Sequence, residues 1–366
     1  MDAGMKERRN EYDLMRAISA LAIVLFHYSY AFVQYNVGGE HIDFMMHANG
    51  TWGAIFVSLF FILSGSSLYY NWNDRMLSFT GKGGVLDFYK KRFLSIFPMF
   101  YLGWAICYVM TVISFDGIRN WGGPYRRLFM TLFGIDGYFL YKGLNYYLIG
   151  EWFLGAIIML YVLYPLLQWC MKKIPVIATI IVVLLFALNT SRRYLPFMSG
   201  YNAWVQISDN ISIITCLLSF WTGMLLGSFG RRIIKTYTAL ISLALALIML
   251  LLPLPVNTLI ITPILAVCFY IVLSYLSMLL DRKLKNRKTY DGIVGFYSRF
   301  SYPIFLVHHV TIQKMLTLFS GREMSYVGSI GYFFVTLAVI SILAFVLSKL
   351  TDLMLKTVKR LLPDKQ

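Results

Sequence analysis

Stretches of about 20 apolar residues recur along nearly the whole chain, and that is the length an α-helix needs to cross the hydrocarbon core of a bilayer. Ten such spans can be drawn, over residues 14–33, 52–70, 93–115, 151–169, 175–189, 209–228, 237–255, 257–279, 293–318 and 326–348. Of the 366 residues, 58% are hydrophobic and 14% are charged. Soluble domains carry about 25% charged residues, so this chain has too little polar surface to cover several soluble cores. The same composition excludes a disordered chain and a disulfide scaffold. The expectation is an all-α polytopic membrane protein, a single domain over 1–366, with the lipid bilayer as its solvent.

The net charge of +16 acquires its meaning from where the cations sit. With the N-terminus inside, 24 of the 33 Lys and Arg residues fall on the inner side, eight fall outside, and Arg299 falls within a span. That excess is spread over every inner segment and matches the positive-inside bias of membrane proteins. Both termini are therefore expected in the cytoplasm, and nucleic acid is not expected as a partner. Lys6 to Arg9 ahead of an apolar run imitates a signal peptide. The run continues to Val33, contains Arg16 and His27, and is followed by no small-residue cleavage site, so it reads as the first retained helix. Cys107, Cys170, Cys216 and Cys268 are far apart and all lie within spans, a spacing that suits neither a metal site nor a disulfide framework. No resident metal or bound cofactor is expected.

Connections are short except for Asp116 to Gly150, a 35-residue outer segment holding Trp121, Tyr125, Tyr138, Tyr141, Tyr146 and Tyr147 with Gly122, Gly123 and Pro124. Long segments of this kind are usually functional, and aromatics between glycines suit a sugar platform. For any single tyrosine the interfacial aromatic belt is the better account. Leu128 to Phe133 is apolar but too short to span.

Ionisable residues at membrane depth are costly and point to function. Arg16 and His27 lie 11 residues apart in the first span. At 100° and 1.5 Å per residue they fall within about 20° of one face and about 16 Å apart along it. Asp13, three residues before Arg16, can pair with it. A snorkelling anchor and a histidine satisfied by a neighbouring helix are the plain structural readings. Ser64-Gly65-Ser66 suits close helix packing, and Phe88-Tyr89-Lys90-Lys91-Arg92 opens the third span with five cations between Arg75 and Arg92. Those cations suit either an anionic cytoplasmic ligand or the topology bias. Glu151 begins the fourth span, where a helix N-terminus stabilises a carboxylate. Ser301-Tyr302-Pro303 leads into His308-His309, adjacent residues about 100° apart, so one of the two at most is expected to face a given site squarely.

These residues resemble the acyltransferase-3 family of multi-spanning bacterial O-acyltransferases. The stretch Tyr12-Asp13-Leu14-Met15-Arg16 through Leu25-Phe26-His27 is similar to that family's first-helix signature, an Arg or Lys ten intervening residues before a His. The likeness continues through Phe60-Phe61-Ile62-Leu63-Ser64-Gly65 and Phe88-Tyr89-Lys90-Lys91-Arg92-Phe93 with Pro98. It resumes at Trp152-Phe153-Leu154 with Tyr161 and Tyr164-Pro165, and at Ser301-Tyr302-Pro303-Ile304-Phe305-Leu306-Val307-His308-His309. Five short anchors in the family's order cover nearly the whole chain. Ser95 stands where the family often has a second Arg, which weakens a donor-phosphate contact there.

The resemblance implies ten helices in a bacterial cytoplasmic membrane, acetyl-CoA or another acyl-CoA as donor, and a hydroxyl of an extracytoplasmic glycan or lipid-linked saccharide as acceptor. It implies His27 as general base or transient acyl carrier, and Arg16 as holder of the CoA side or polariser of the thioester carbonyl. Lys90, Lys91 and Arg92 would meet the CoA phosphates. Glu151 would orient His27 or the acceptor hydroxyl, and His308 or His309 would add a second polar contact, with Asp13 and Ser64 beside the donor. The rival reading is a polytopic exporter of a lipid-linked sugar, against which the lack of internal repeats already counts.

Overall fold

The computed structural model describes residues 9–42, 52–73, 77–78, 84–114, 128–135, 137–139, 149, 151–191, 211–252, 254–284 and 287–361. Its helices are α1 (Asn10–Gln34), α2 (Trp52–Trp72), α3 (Val85–Ser114), α4 (Leu128–Leu132), α5 (Glu151–Lys173), α6 (Pro175–Ser191) and α7 (Ile213–Phe229). They continue with α8 (Thr236–Leu251), α9 (Thr258–Lys283), α10 (Lys288–Arg299), α11 (Ser301–Thr317) and α12 (Tyr326–Leu361). Two short parallel strands, β1 (Gly38–Gly39) and β2 (Glu323–Met324), make a single ladder. Among the described residues seven helices are long and apolar enough to cross a membrane: Asn10–Gln34, Trp52–Trp72, Val85–Met110, Trp152–Lys173, Ile213–Ile233, Thr258–Lys283 and Tyr326–Leu361. The protein is an all-α polytopic membrane protein.

Lipid explains the outward chemistry. Ile180, Ile181 and Leu184 on α6, Leu240 and Ile241 on α8, and Val335 and Ile342 on α12 are exposed, which an apolar solvent permits and water penalises. At 1.5 Å per residue, α6 and α8 are about 25 Å long, shorter than the ~30 Å hydrocarbon core, so each spans only with flanking residues snorkelling or the bilayer thinning. The expected span over 293–318 is not one helix. It divides at Phe300 into an amphipathic α10 and an apolar α11. Pro303 suits that division: it has no N–H to give to the Arg299 carbonyl, and it stands in the first turn of α11, where no intrahelical bond is lost. Arg299 accordingly ends α10 at an exposed position instead of lying within a span.

The chain forms two compact units, Met1–Phe26 with Phe44–Phe79 and Val162–Arg299, and His27–Asp43 with Thr80–Tyr161 and Phe300–Gln366. In the first, α2 packs on α7 and α9, α9 on α8, and α6 on α7. A Cβ on Gly65 would lie 2.0 Å from the Phe220 carbonyl oxygen, and one on Gly223 would lie 2.0 Å from that of Ile62. Only glycine lets the two backbones come this close, the small-residue contact that substitutes for a hydrophobic driving force in lipid. Gly223 and Gly227, four residues apart on α7, carry the pattern on one side, and Gly65 of the Ser64-Gly65-Ser66 stretch carries it on the other. Ser66 shares hydrogen bonds with Tyr12 at 2.6 Å and Tyr270 at 3.0 Å, all three within the packed interior. Ser64 is half-buried beside this contact.

In the second unit α12 packs on α11 and α3. Tyr28, fully buried, donates to the Ser329 carbonyl at 2.8 Å, and Tyr302 donates to that of Ile96 at 3.0 Å. Tyr101 donates to the Leu132 carbonyl and fastens α4 to α3. Each of these phenols satisfies a backbone or loop carbonyl where water is scarce. Of the aromatic outer segment, Tyr138 is described, and it is 4% exposed against Gly155. It is a core residue and not part of a sugar-facing surface. Trp121, Tyr125, Tyr141, Tyr146 and Tyr147 lie outside the described residues.

Candidate active site

Three histidines meet in the second unit. The His27 ring centroid lies 4.0 Å from that of His309 and 5.2 Å from that of His308, and the last two are 4.6 Å apart. One ring nitrogen from each of the three lies within 4.8 Å of the others. His308 is fully buried, and His27 and His309 are half-buried. Sequence spacing allowed one of the adjacent pair to face a site, yet both reach His27. A residue that stands over the line between two side chains about 100° apart is within reach of each when all three carry long planar rings. His308 Nδ1 lies 2.8 Å from the Phe305 carbonyl oxygen. A carbonyl can only accept, so Nδ1 carries the hydrogen and Nε2 of the neutral ring is the basic nitrogen. Phe305 in turn stacks edge-on against Phe153, at 5.2 Å between centroids, which fixes the turn that carries the histidines.

Arg92 belongs to the same unit. Its guanidinium lies 5.9 Å from the Phe88 ring centroid and 5.8 Å from that of Tyr161, and it is half-buried, whereas Lys90 and Lys91 are exposed on the first turns of α3. A ring at this distance attracts a cation without neutralising it. Ser95, where a second cation was missing, hydrogen-bonds the Arg92 carbonyl at 2.8 Å.

Arg16 and Asp13 belong to the first unit. They make the pair expected from their spacing, but at 3.5 Å, a long contact. Arg16 also approaches Ser67 at 3.4 Å. Asp13 accepts a shorter bond, 2.7 Å, from Ser298, a residue the sequence did not single out because nothing in a lone serine at the end of α10 marks it. Asp13 lines a polar cavity of about 330 Å³ with Asn10, Arg287, Tyr290 and Asp291. Arg287 is held there by Asp281 at 2.7 Å and Asp291 at 2.9 Å. Glu151 opens α5, and its side chain lies outside the described residues.

The arrangement in the second unit offers a basic ring in contact with two others, and a cation on α3 near two aromatic rings in the same unit. Comparison with curated proteins and with solved structures gives no match. The family model described as an acyltransferase domain matches residues 9–349, which takes in all three histidines, Arg16 and Arg92. The chain belongs to the acyltransferase-3 family.

Proposed function

We propose that this membrane acyltransferase moves an acetyl group from cytoplasmic acetyl-CoA to a hydroxyl of an extracytoplasmic glycan or lipid-linked saccharide, in a bacterial cytoplasmic membrane. The observation that carries this reading is the convergence of His308 and His309 on His27 within an acyltransferase chain. His27 takes the acceptor hydroxyl proton as the oxygen attacks the thioester carbonyl carbon. The carbon–sulfur bond then breaks, and the CoA thiolate leaves with the proton held on the imidazolium. His308 and His309 bear on the orientation of the reacting ring. Arg92, with Lys90 and Lys91, offers charge to the CoA phosphates. Arg16 holds the CoA side of the donor or polarises its carbonyl, Asp13 and Ser64 stand on the donor side, and Glu151 orients the acceptor hydroxyl. Few waters in such a site strengthen each of these interactions.

The test uses the full chain in liposomes with labelled acetyl-CoA and a panel of saccharide and lipid-linked saccharide acceptors. Acceptor-dependent thioester loss with label on acceptor oxygen is the expected result. Movement of a lipid-linked saccharide across the bilayer with no thioester loss would overturn the reading.

A further inference from the structure

The three imidazoles suit a second chemistry. Three histidine nitrogens on one tetrahedral zinc ion lie about 3.4 Å apart, with ring centroids about 5 Å apart, for a Zn–N distance of about 2.1 Å. The observed centroids are 5.2, 4.6 and 4.0 Å apart, so the His27–His308 pair is at that spacing and the His27–His309 rings need to part by about 1 Å. One nitrogen of each ring lies within 4.8 Å of the others, at most about 1.4 Å beyond the spacing on a tetrahedral ion. The hydrogen bond from His308 Nδ1 to the Phe305 carbonyl fixes its tautomer and leaves the lone pair on Nε2, the carbonyl-held arrangement that metal-ligating histidines use. Among the described residues the group is three imidazoles with no carboxylate or thiol. Such a donor set favours zinc, cobalt, nickel or copper over magnesium or calcium, and three ligands leave a fourth position open.

We infer that His27, His308 and His309 form a binding site for a divalent transition-metal ion such as Zn²⁺, and that the bound ion and acyl transfer compete for His27. An imidazole nitrogen that has given its lone pair to a metal cannot accept a proton. The competition rests on the function proposed above; the binding site does not.

The experiment takes the full chain, free of any affinity tag and stripped with chelator, and titrates it with Co²⁺ as the spectroscopic probe. One Co²⁺ per chain is expected, with the visible absorption of four-coordinate cobalt, displaced by Zn²⁺. His309→Gln should weaken binding by more than about 100-fold, since even the outer partners of metal ligands are worth 10- to 100-fold. His308→Gln should do the same, and either variant suffices if the other fails to fold. His41→Gln is the control: this ring stacks on Phe32 at 4.7 Å, away from the group, and its loss should leave Co²⁺ uptake unchanged. No uptake by the wild-type chain, or full uptake by the His309 and His308 variants, overturns the site. Zn²⁺ should suppress acyl transfer reversibly, and an unchanged rate at full occupancy overturns the competition. Metal uptake by a chain that transfers no acyl group would leave the site standing and remove the proposed function. Transfer without metal uptake would do the reverse.

Discussion

Glu11 and His27 stand on one helix and are surrounded in opposite ways. Glu11, buried in the first unit, is closed in by Arg9 at 2.9 Å and Arg231 at 3.0 Å, and Arg9 also lies over Tyr70 at 4.4 Å. Its negative charge meets two positive ones, and nothing about the group invites a further ligand. His27, in the second unit, meets two more imidazoles, rings that can each hold or release a proton or a metal ion. In a low-dielectric setting a set of opposite charges in contact is a structural clamp, whereas like rings in contact keep their chemistry available. Arg231 shows how topology and structure coincide, since a residue counted for the inner positive charge is also one jaw of that clamp.

The sharpest way to break this contrast is His27→Gln. It keeps some hydrogen bonding but accepts no proton at neutral pH, so acyl transfer per folded molecule should fall by about 10² to 10⁴, with thermal stability little changed. A structural histidine gives the reverse: the Gln variant transfers normally, and His27→Ala loses folded protein. Near-normal transfer by the Gln variant would take His27 out of the mechanism.

Arg16→Ala comes next. Loss of a charged contact to the donor should raise the apparent acetyl-CoA KM by about 10- to 100-fold. Arg16→Lys should recover part of that, because a point charge does not replace a planar fork. Unaltered donor kinetics in the Ala variant would return Arg16 to the role of membrane anchor. Glu11→Gln tests the other side of the comparison. It should lower stability by on the order of 1–3 kcal/mol, less than for a fully buried pair because Arg231 is partly exposed, while transfer per folded molecule stays at the wild-type level. A stable but inactive Glu11 variant would erase the distinction between clamp and site. The smallest effect belongs to Tyr12→Phe, which removes one hydroxyl from the chain Tyr12–Ser66–Tyr270 and should cost about 1 kcal/mol in a thermal melt.

Much of the fold was legible because its causes are local. Runs such as 52–70 and 326–348 carry their span signal in consecutive residues, and helices stand on them. Ser212 and Asn257 accept from the first backbone N–H groups of α7 and α9, so two helix starts follow from single polar residues. The stretch 293–318 reads as one run because its hydropathy continues past Phe300, whereas the backbone divides there into α10 and α11. Tyr138 shows a related limit: a tyrosine near the membrane surface looks the same in sequence whether it faces a sugar, lies in the interfacial belt or packs on Gly155.

For the candidate site the division is sharper. The amino-acid sequence by itself determined that the chain lives in a bilayer, and that Arg16 and His27 share a helix with the spacing of an acyltransferase signature. These depend on apolar area and on the pitch of one helix, which no neighbour can alter. Only the tertiary structure decided that His308 and His309 both reach His27, that Asp13 answers to Ser298 as well as Arg16, and that Gly65 and Gly223 bring two backbones together. Those facts depend on how α11 packs in the second unit and how α2, α7 and α10 are placed in the first. Helix packing in lipid is set by the shapes of whole faces, so residues hundreds of positions apart become neighbours with no local mark to announce it.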